Sequence, residues 1–312
     1  RRRSNVTAQS AGLPQARRRP PSWRRRDRWW GWFFVAPQTI GMIVFVLIPF
    51  TLTFALSFAK WSGLGPIRWI GMSNYTDQLT DPVFLRSIVN TFVIALITVP
   101  VGLGASIVVA TLLEKLKTRS IYLVMFFAPV VTSSIAVAMI WQQMLRADGM
   151  ISEFLATVFG ITPPDWLGDP RLALIAVCMV AIWSSMGLNV VIFLAGLKNI
   201  PPSVLEAATV DGASAVSQFF RIKMPLISPI IFYSTIVAVI SSFQTFDIVY
   251  VLTNDAGPDN ATRTMVYHIY DVGYRSAKFG VASAASVILL LITLVVTMIQ
   301  LAAQKKLVNY DL

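Results

Sequence analysis

Six stretches of this chain stay apolar for about 20 residues or more, the length a helix needs to cross the hydrocarbon core of a bilayer. They lie at roughly 30–58, 87–113, 121–145, 172–197, 226–252 and 277–303. Backbone amides in lipid must find their partners within the segment, so each run is expected to be a helix. The alternating ten-residue segments of a membrane barrel are absent from the sequence. Only 13% of the 312 residues are charged, about half the share of a soluble domain. The resulting fold class is an all-α polytopic membrane protein with six transmembrane helices.

The net charge of +11 is concentrated rather than spread over a face: ten of the 26 basic residues are arginines within residues 1–28. That segment is rich in Arg, Pro, Ser and Gln and poor in apolar residues, which predicts a disordered tail at 1–28 ahead of a membrane domain at 29–312. A polybasic run beside a first crossing reads as a cytoplasmic anchor at anionic lipid headgroups. No nucleic-acid-binding module accompanies the charge, so a nucleic-acid partner is not expected. The apolar run after Arg28 is about twice the 7–15 residues of a secretory signal core. With both termini inside, the inner segments carry 18 basic residues against 8 outside, and eight against eight once the tail is removed. Orientation therefore rests on the tail, next to the usually dominant first helix.

Gly102, Ser106 and Ala110 recur at four-residue spacing, the pattern of closely packed membrane helices. Pro49, Pro100 and Pro129 are expected to kink their helices. Cys178 is the single cysteine and His268 the single histidine, so neither a disulfide framework nor a metal site is expected. His268 is assigned to a loop, as a surface or packing residue.

One hydrophilic interruption stands out, at 198–225. Inserting its five charges would cost about 2.5–3.5 kcal/mol each near the bilayer centre, so it stays outside the membrane. Pro201-Pro202 break the preceding helix, and Ser203 to Glu206 reads as a capping box opening a short helix to about Val210. Asp211-Gly212 signals a turn. A second helix to about Ile222 carries Val216, Phe219, Phe220 and Lys223 as a stripe, and Pro225 closes it. The product is a helix–turn–helix elbow at 203–225, with small residues at Ala207, Ala208 and Ala213 that allow close approach.

Glu206-Ala207-Ala208, Asp211-Gly212, Ile222 and Met224-Pro225 resemble, in residue and in spacing, the EAA signature of ABC importer membrane subunits. Met224 stands where leucine is usual. The stretches around "WWGWFFVAPQTIGMIVFVLIPF", "FDIVYVLTNDAGPDNAT" and "GVASAASVILLLI" are similar to the maltose/glycerol-phosphate class of carbohydrate permease, in its first-type subunit. Asn254-Asp255-Ala256-Gly257 replaces the glycine-rich turn usual there.

The resemblance implies a type I ABC importer fold in a prokaryotic inner (plasma) membrane, with N- and C-termini cytoplasmic. It implies that the elbow is the coupling helix docking on a separate ATPase. Glu206 would pair with a basic group there, Ala207 and Ala208 would allow close approach, Gly212 would make the turn, and Asp211 would support it, with Ile222 and Pro225 completing the signature. The chain has no G-x-x-x-x-G-K-[ST] phosphate loop. No catalytic residue, metal or cofactor is therefore expected on it, and ATP and Mg belong to the partner. The implied partners are two ATPase copies, a second homologous permease, an extracytoplasmic solute-binding protein and membrane lipid. Substrate-contacting positions in sugar-importing relatives correspond to Ser185, Leu188, Ser241 and Ser242, with Asn189 and Gln244 nearby. The cargo read from this is a sugar or oligosaccharide; glycerol phosphates, phosphodiesters and peptides are the alternatives. A standalone secondary transporter would need inverted repeats and paired broken helices, and it leaves the elbow unexplained.

Overall fold

The computed structural model describes residues 22–307. Residues 1–21, most of the expected tail, and 308–312 lie outside them. Residues 22–28, assigned to that tail by composition, instead belong to helix α1 (Ser22–Met42). Arg and Trp are ordinary helix formers, and here they extend the helix backwards from the apolar run. The chain divides into two compact units at Leu52/Thr53. In the first, α1 passes through a π turn at Ile43–Leu47 into α2 (Ile48–Leu56). That widened turn sits just before Pro49, whose missing N–H and bulky ring disfavour a regular turn.

The second unit begins with the end of α2 and a short antiparallel ladder, β1 (Ala59–Lys60) on β2 (Arg68–Trp69), a small departure from an all-helical chain. After α3 (Ser73–Thr80) come α4 (Pro82–Glu114) and, further on, α8 (Pro170–Lys198). Both long helices open with Asp-Pro. Asp81 accepts from the Val83 amide at 2.9 Å, and Asp169 from the Arg171 amide at 2.7 Å. The carboxylate satisfies an orphan amide, and proline at the first helical position has none to satisfy. α4 stays helical through Pro100.

The third apolar run does not form one rod. α5 (Arg119–Val131) and α6 (Ser134–Leu145) are separated by an extended Thr132 and Ser133. α5 and the helical stretch from α6 through α7 (Met150–Phe159) meet at 101°. The break falls after Pro129, at three successive hydroxyl residues that compete for backbone hydrogen bonds; Thr132 Oγ1 donates to the Ala128 carbonyl at 2.8 Å. The fifth run is likewise divided. α12 (Ser228–Phe243) ends at Gln244, and α13 (Asp247–Leu252) comes next. α14 (Met265–Tyr270) and α15 (Phe279–Leu307) complete the chain. Among the described residues four helices can cross a membrane in one piece, and up to six crossings exist if each bent pair is one span.

Gly102, Ser106 and Ala110 are buried on α4 and face α8: a Cβ on Gly102 would lie 3.8 Å from Ile182, and Ser106 Oγ reaches the Met186 carbonyl at 3.4 Å. At Gly187 the backbones of α5 and α8 cross so closely that a Cβ would collide with the Phe126 carbonyl. Two apolar cores result from this packing. One gathers Ile94, Val177, Val180 and Val249, the other Leu103, Ile107, Phe193, Leu197 and Ile227.

Between α13 and α15 a polar core replaces the expected loop. His268 lies in α14, 1% exposed, with Nε2 at 2.8 Å from Gln78 Oε1 and Nδ1 accepting from Arg263 Nε at 3.2 Å. Its assignment to a loop is corrected; it is a satisfied packing residue in a helix capped by Thr264. Burial, and then the Arg263 charge, pull its pKa down to about 4. Arg263 also pairs with Asp271 at 2.6 Å. The Asn254 to Asn260 segment has positive φ at Asn254, Asp255, Gly257, Asp259 and Asn260. Asn and Asp tolerate that region better than other side chains, so they make the turns that glycines make elsewhere.

Candidate functional site

A cavity of about 340 Å³ opens between α4, α5, α6, α8, α12 and the start of α13. Five of the six residues singled out in the sequence lie on its wall: Ser185, Leu188 and Asn189 from α8, and Ser241 and Ser242 from α12. Gln244 does not. It caps α12, donating its amide to the Ser241 carbonyl at 3.1 Å, and its side chain is outside the lining.

Ser184 and Thr245, from the polar stretches 183–189 and 241–247, lie on the same wall, and sequence reasoning missed Thr98, Thr132 and Ser134 there. Thr132 and Ser134 reach it because the chain breaks between α5 and α6. The signal was present as three hydroxyl residues in a row after Pro129, inside an apolar run. Every lining residue is uncharged. Hydroxyl protons of Thr98, Thr132, Ser184 and Ser242 go to carbonyls of their own helices, at 2.7–2.8 Å. Their oxygen lone pairs are left as acceptors, and the amide of Asn189 bonds to the Ser185 carbonyl at 3.2 Å. Such a wall can exchange hydrogen bonds with a solute rich in hydroxyl groups. A phosphate or carboxylate would find no balancing charge there.

The elbow is a second exposed feature. α9 (Pro202–Val210), α10 (Ala215–Gln218), a π turn at Phe219–Lys223 and α11 (Met224–Leu226) lead into α12 at a 68° bend. The expected capping box is not formed. Pro202 takes the first helical position, so Ser203 lies within the helix and α9 has no side-chain cap. Its C-terminus is a Schellman motif: the Gly212 amide bonds to Thr209 O at 3.1 Å and the Ala213 amide to Ala208 O at 2.9 Å. Gly212 sits at φ +77°, where a side chain is strained although nothing stands within 4 Å of the place a Cβ would take. Gln218 Nε2 ties the second helix back to Thr209 Oγ1 at 3.0 Å.

Glu206, Ala207, Asp211 and Gly212 are exposed, while Ile222 and Pro225 are half-buried. Ala208, beside the exposed Ala207, is only 8% exposed and packs within the chain. The π turn also breaks the expected stripe. Val216 and Phe220 face outward at 66% and 64% exposure, while Phe219 packs on the inner core. One extra residue in that turn rotates the succeeding residues by roughly 100°.

Crossing helices around an uncharged cavity, joined to an exposed elbow outside them, define a membrane-embedded solute permease. The chain belongs to the family of binding-protein-dependent transport system inner membrane components, whose model matches residues 83–309. It is 33% identical to the probable ABC transporter permease protein YesP of Bacillus subtilis (strain 168), over 92% of this chain and 94% of that protein. It is 31% identical to the lactose transport system permease protein LacF of Rhizobium radiobacter, over 88% and 94%. It is also 31% identical to the sn-glycerol-3-phosphate transport system permease protein UgpA of Brucella suis biovar 1 (strain 1330), over 90% and 96%. A solved bacterial ABC transporter involved in import of the acidic polysaccharide alginate shares the fold, with a TM-score of 0.80 at 20% identity, over 92% of this chain and 99% of that one. The chain is therefore a membrane-bound transport subunit with a type I ABC permease fold, and not itself an enzyme.

Proposed function

We propose that this chain is one permease half of an ATP-driven importer that carries a neutral sugar or oligosaccharide delivered by an extracytoplasmic binding protein. The observation that carries the reading is the cavity wall, which presents eight hydroxyl side chains and the Asn189 amide among apolar residues and no charge. It suits a polyol better than the phosphate of the glycerol-phosphate relatives. A second, homologous permease completes the pathway, and two ATPase copies carrying ATP and Mg power it. Six crossings with both termini cytoplasmic put the elbow at 203–225 on the ATPase side.

In this reading Glu206 pairs with a basic group of the ATPase. Ala207 lets the two surfaces close up, and Gly212, backed by Asp211, holds the turn. Ile222 and Pro225 set the elbow against its own bundle, and Ser185, Leu188, Asn189, Ser241 and Ser242 form this chain's side of the pathway. The apolar exposure of Val210, at 88%, and of Val216 and Phe220 beside Glu206 and Asp211 supports a docking face.

The test is purification of the tagged chain from its native membrane, followed by reconstitution with what accompanies it. An ATPase, a second permease and a sugar-binding protein should be recovered, and uptake of the binding protein's ligand should need ATP. Uptake by this chain alone, without ATP, would overturn the reading.

A further inference from the structure

We propose that the ion pair between Glu114 and Lys223 is the strut through which movement of the elbow reaches the cavity wall. The inference rests on the reading of 203–225 as an ATPase-docking elbow. Lys223 Nζ lies 2.6 Å from Glu114 Oε2, and the two side chains are only 12% and 18% exposed. The partners are 109 residues apart in sequence.

Three features single the pair out. Glu114 is the last residue of α4, where the helix dipole disfavours a carboxylate and favours a cation. Lys115, Lys117 and Arg119 come immediately after it, yet among the described residues Glu114 forms its salt bridge with Lys223. Lys223 closes the π turn at Phe219–Lys223. The extra residue of that turn rotates the chain by roughly 100° beyond a regular helix, which brings the ammonium group onto α4.

Beside this pair the elbow meets the bundle through apolar contacts: Leu205, Phe219, Met224 and Leu226 pack against the core that contains Leu113. Apolar packing is non-directional and lets surfaces slide. A short charge-assisted hydrogen bond between shielded partners fixes a direction. α4 then carries that direction onward, because Thr98, Val99, Gly102 and Leu103 of the same unbroken helix line the cavity. Gly102 is twelve residues from Glu114, about 18 Å along a rigid helix. A pull on the elbow is thus delivered to the wall that solute touches. Glu114 and Lys223 are positioning residues in this scheme; neither meets solute or nucleotide.

The test reconstitutes the whole transporter in liposomes and measures solute moved per ATP hydrolysed. Glu114→Gln and Glu114→Lys should still bring down the ATPase and hydrolyse ATP, while solute moved per ATP falls at least tenfold. Adding Lys223→Glu to Glu114→Lys reverses the pair and should restore the ratio to within twofold of wild type. A merely structural pair would lower hydrolysis and uptake in proportion and leave the ratio alone, which would overturn the proposal. A reversed pair that inserts but stays uncoupled would overturn it too. Should Glu114→Lys fail to accumulate, Glu114→Asp keeps the charge with a shorter reach and should show an intermediate ratio; a wild-type ratio would again overturn the strut. Failure of the docking reading is separate: in that case the ATPase does not depend on the elbow, and Glu206→Ala retains both bound ATPase and uptake.

Discussion

Replacing Gly212 by alanine isolates one physical term. The backbone there has φ +77°, and no heavy atom lies within 4 Å of an added Cβ. The substitution therefore creates no clash; it only forces an L side chain into the left-handed region, at about 1–2 kcal/mol. That cost falls on the turn that closes α9, in which the amides of Asp211, Gly212 and Ala213 donate to Ala207, Thr209 and Ala208. A penalty of about 1–2 kcal/mol shifts the balance of closed and open turn about 5–30-fold. Amide exchange by local opening should accelerate by the same factor at those three positions. Hydrogen–deuterium exchange in detergent or nanodiscs reads this directly, with uptake measured alongside. Asparagine at 212 is the control, since it adds a larger side chain but tolerates left-handed backbone. It should exchange nearly as slowly as wild type. If the alanine and asparagine variants exchange equally fast, size rather than backbone conformation governs the turn, and the reasoning fails.

Three further outcomes are expected. Gly187→Ala should lower stability by about 1–3 kcal/mol through overpacking of α5 on α8, read as a fall in thermal midpoint in detergent; an unchanged midpoint would refute so close a crossing. His268 has a folded pKa of about 4 against 6.5 unfolded, so the unfolded chain takes up a proton first as pH falls. Stability is held above pH 6.5 and about 3 kcal/mol is lost between there and pH 4; His268→Gln should flatten that slope in melts at stepped pH, and equal slopes would contradict it. Ser241→Asp, which places a carboxylate on the cavity wall, should cut initial uptake more than about tenfold, while Ser241→Ala, which removes one hydrogen-bonding group, keeps most of it.

The apolar runs were legible because lipid leaves a chain few ways to satisfy its amides, and the elbow was legible because its charges cannot share that solvent. Their interruptions were not. Pro129 and the three hydroxyl residues after it mark a weak point in the third run, but nothing local sets the 101° at which α5 and α6 part. Five of the six pathway residues share one wall because α8 and α12 are regular over those positions, so their spacing carries over into space; Gln244, two residues past Ser242, falls about 200° round the helix from it and is not on that wall. The capping box failed for a local reason, since Pro202 already occupies the first helical position. His268 with Gln78, and Glu114 with Lys223, join residues 190 and 109 apart. No periodicity or local motif can register a pairing of that kind.

The outward-facing Val210, Val216 and Phe220 carry a consequence for biogenesis. On the proposed reading, a copy of the chain made in excess of its ATPase leaves three apolar side chains uncovered, the kind of signal that chaperones hold and membrane proteases clear. If the proposed docking on an ATPase covers this patch, surplus subunits would be marked for turnover by the surface that assembly conceals. Subunit ratios can be policed after synthesis, with no need for matched expression of the genes.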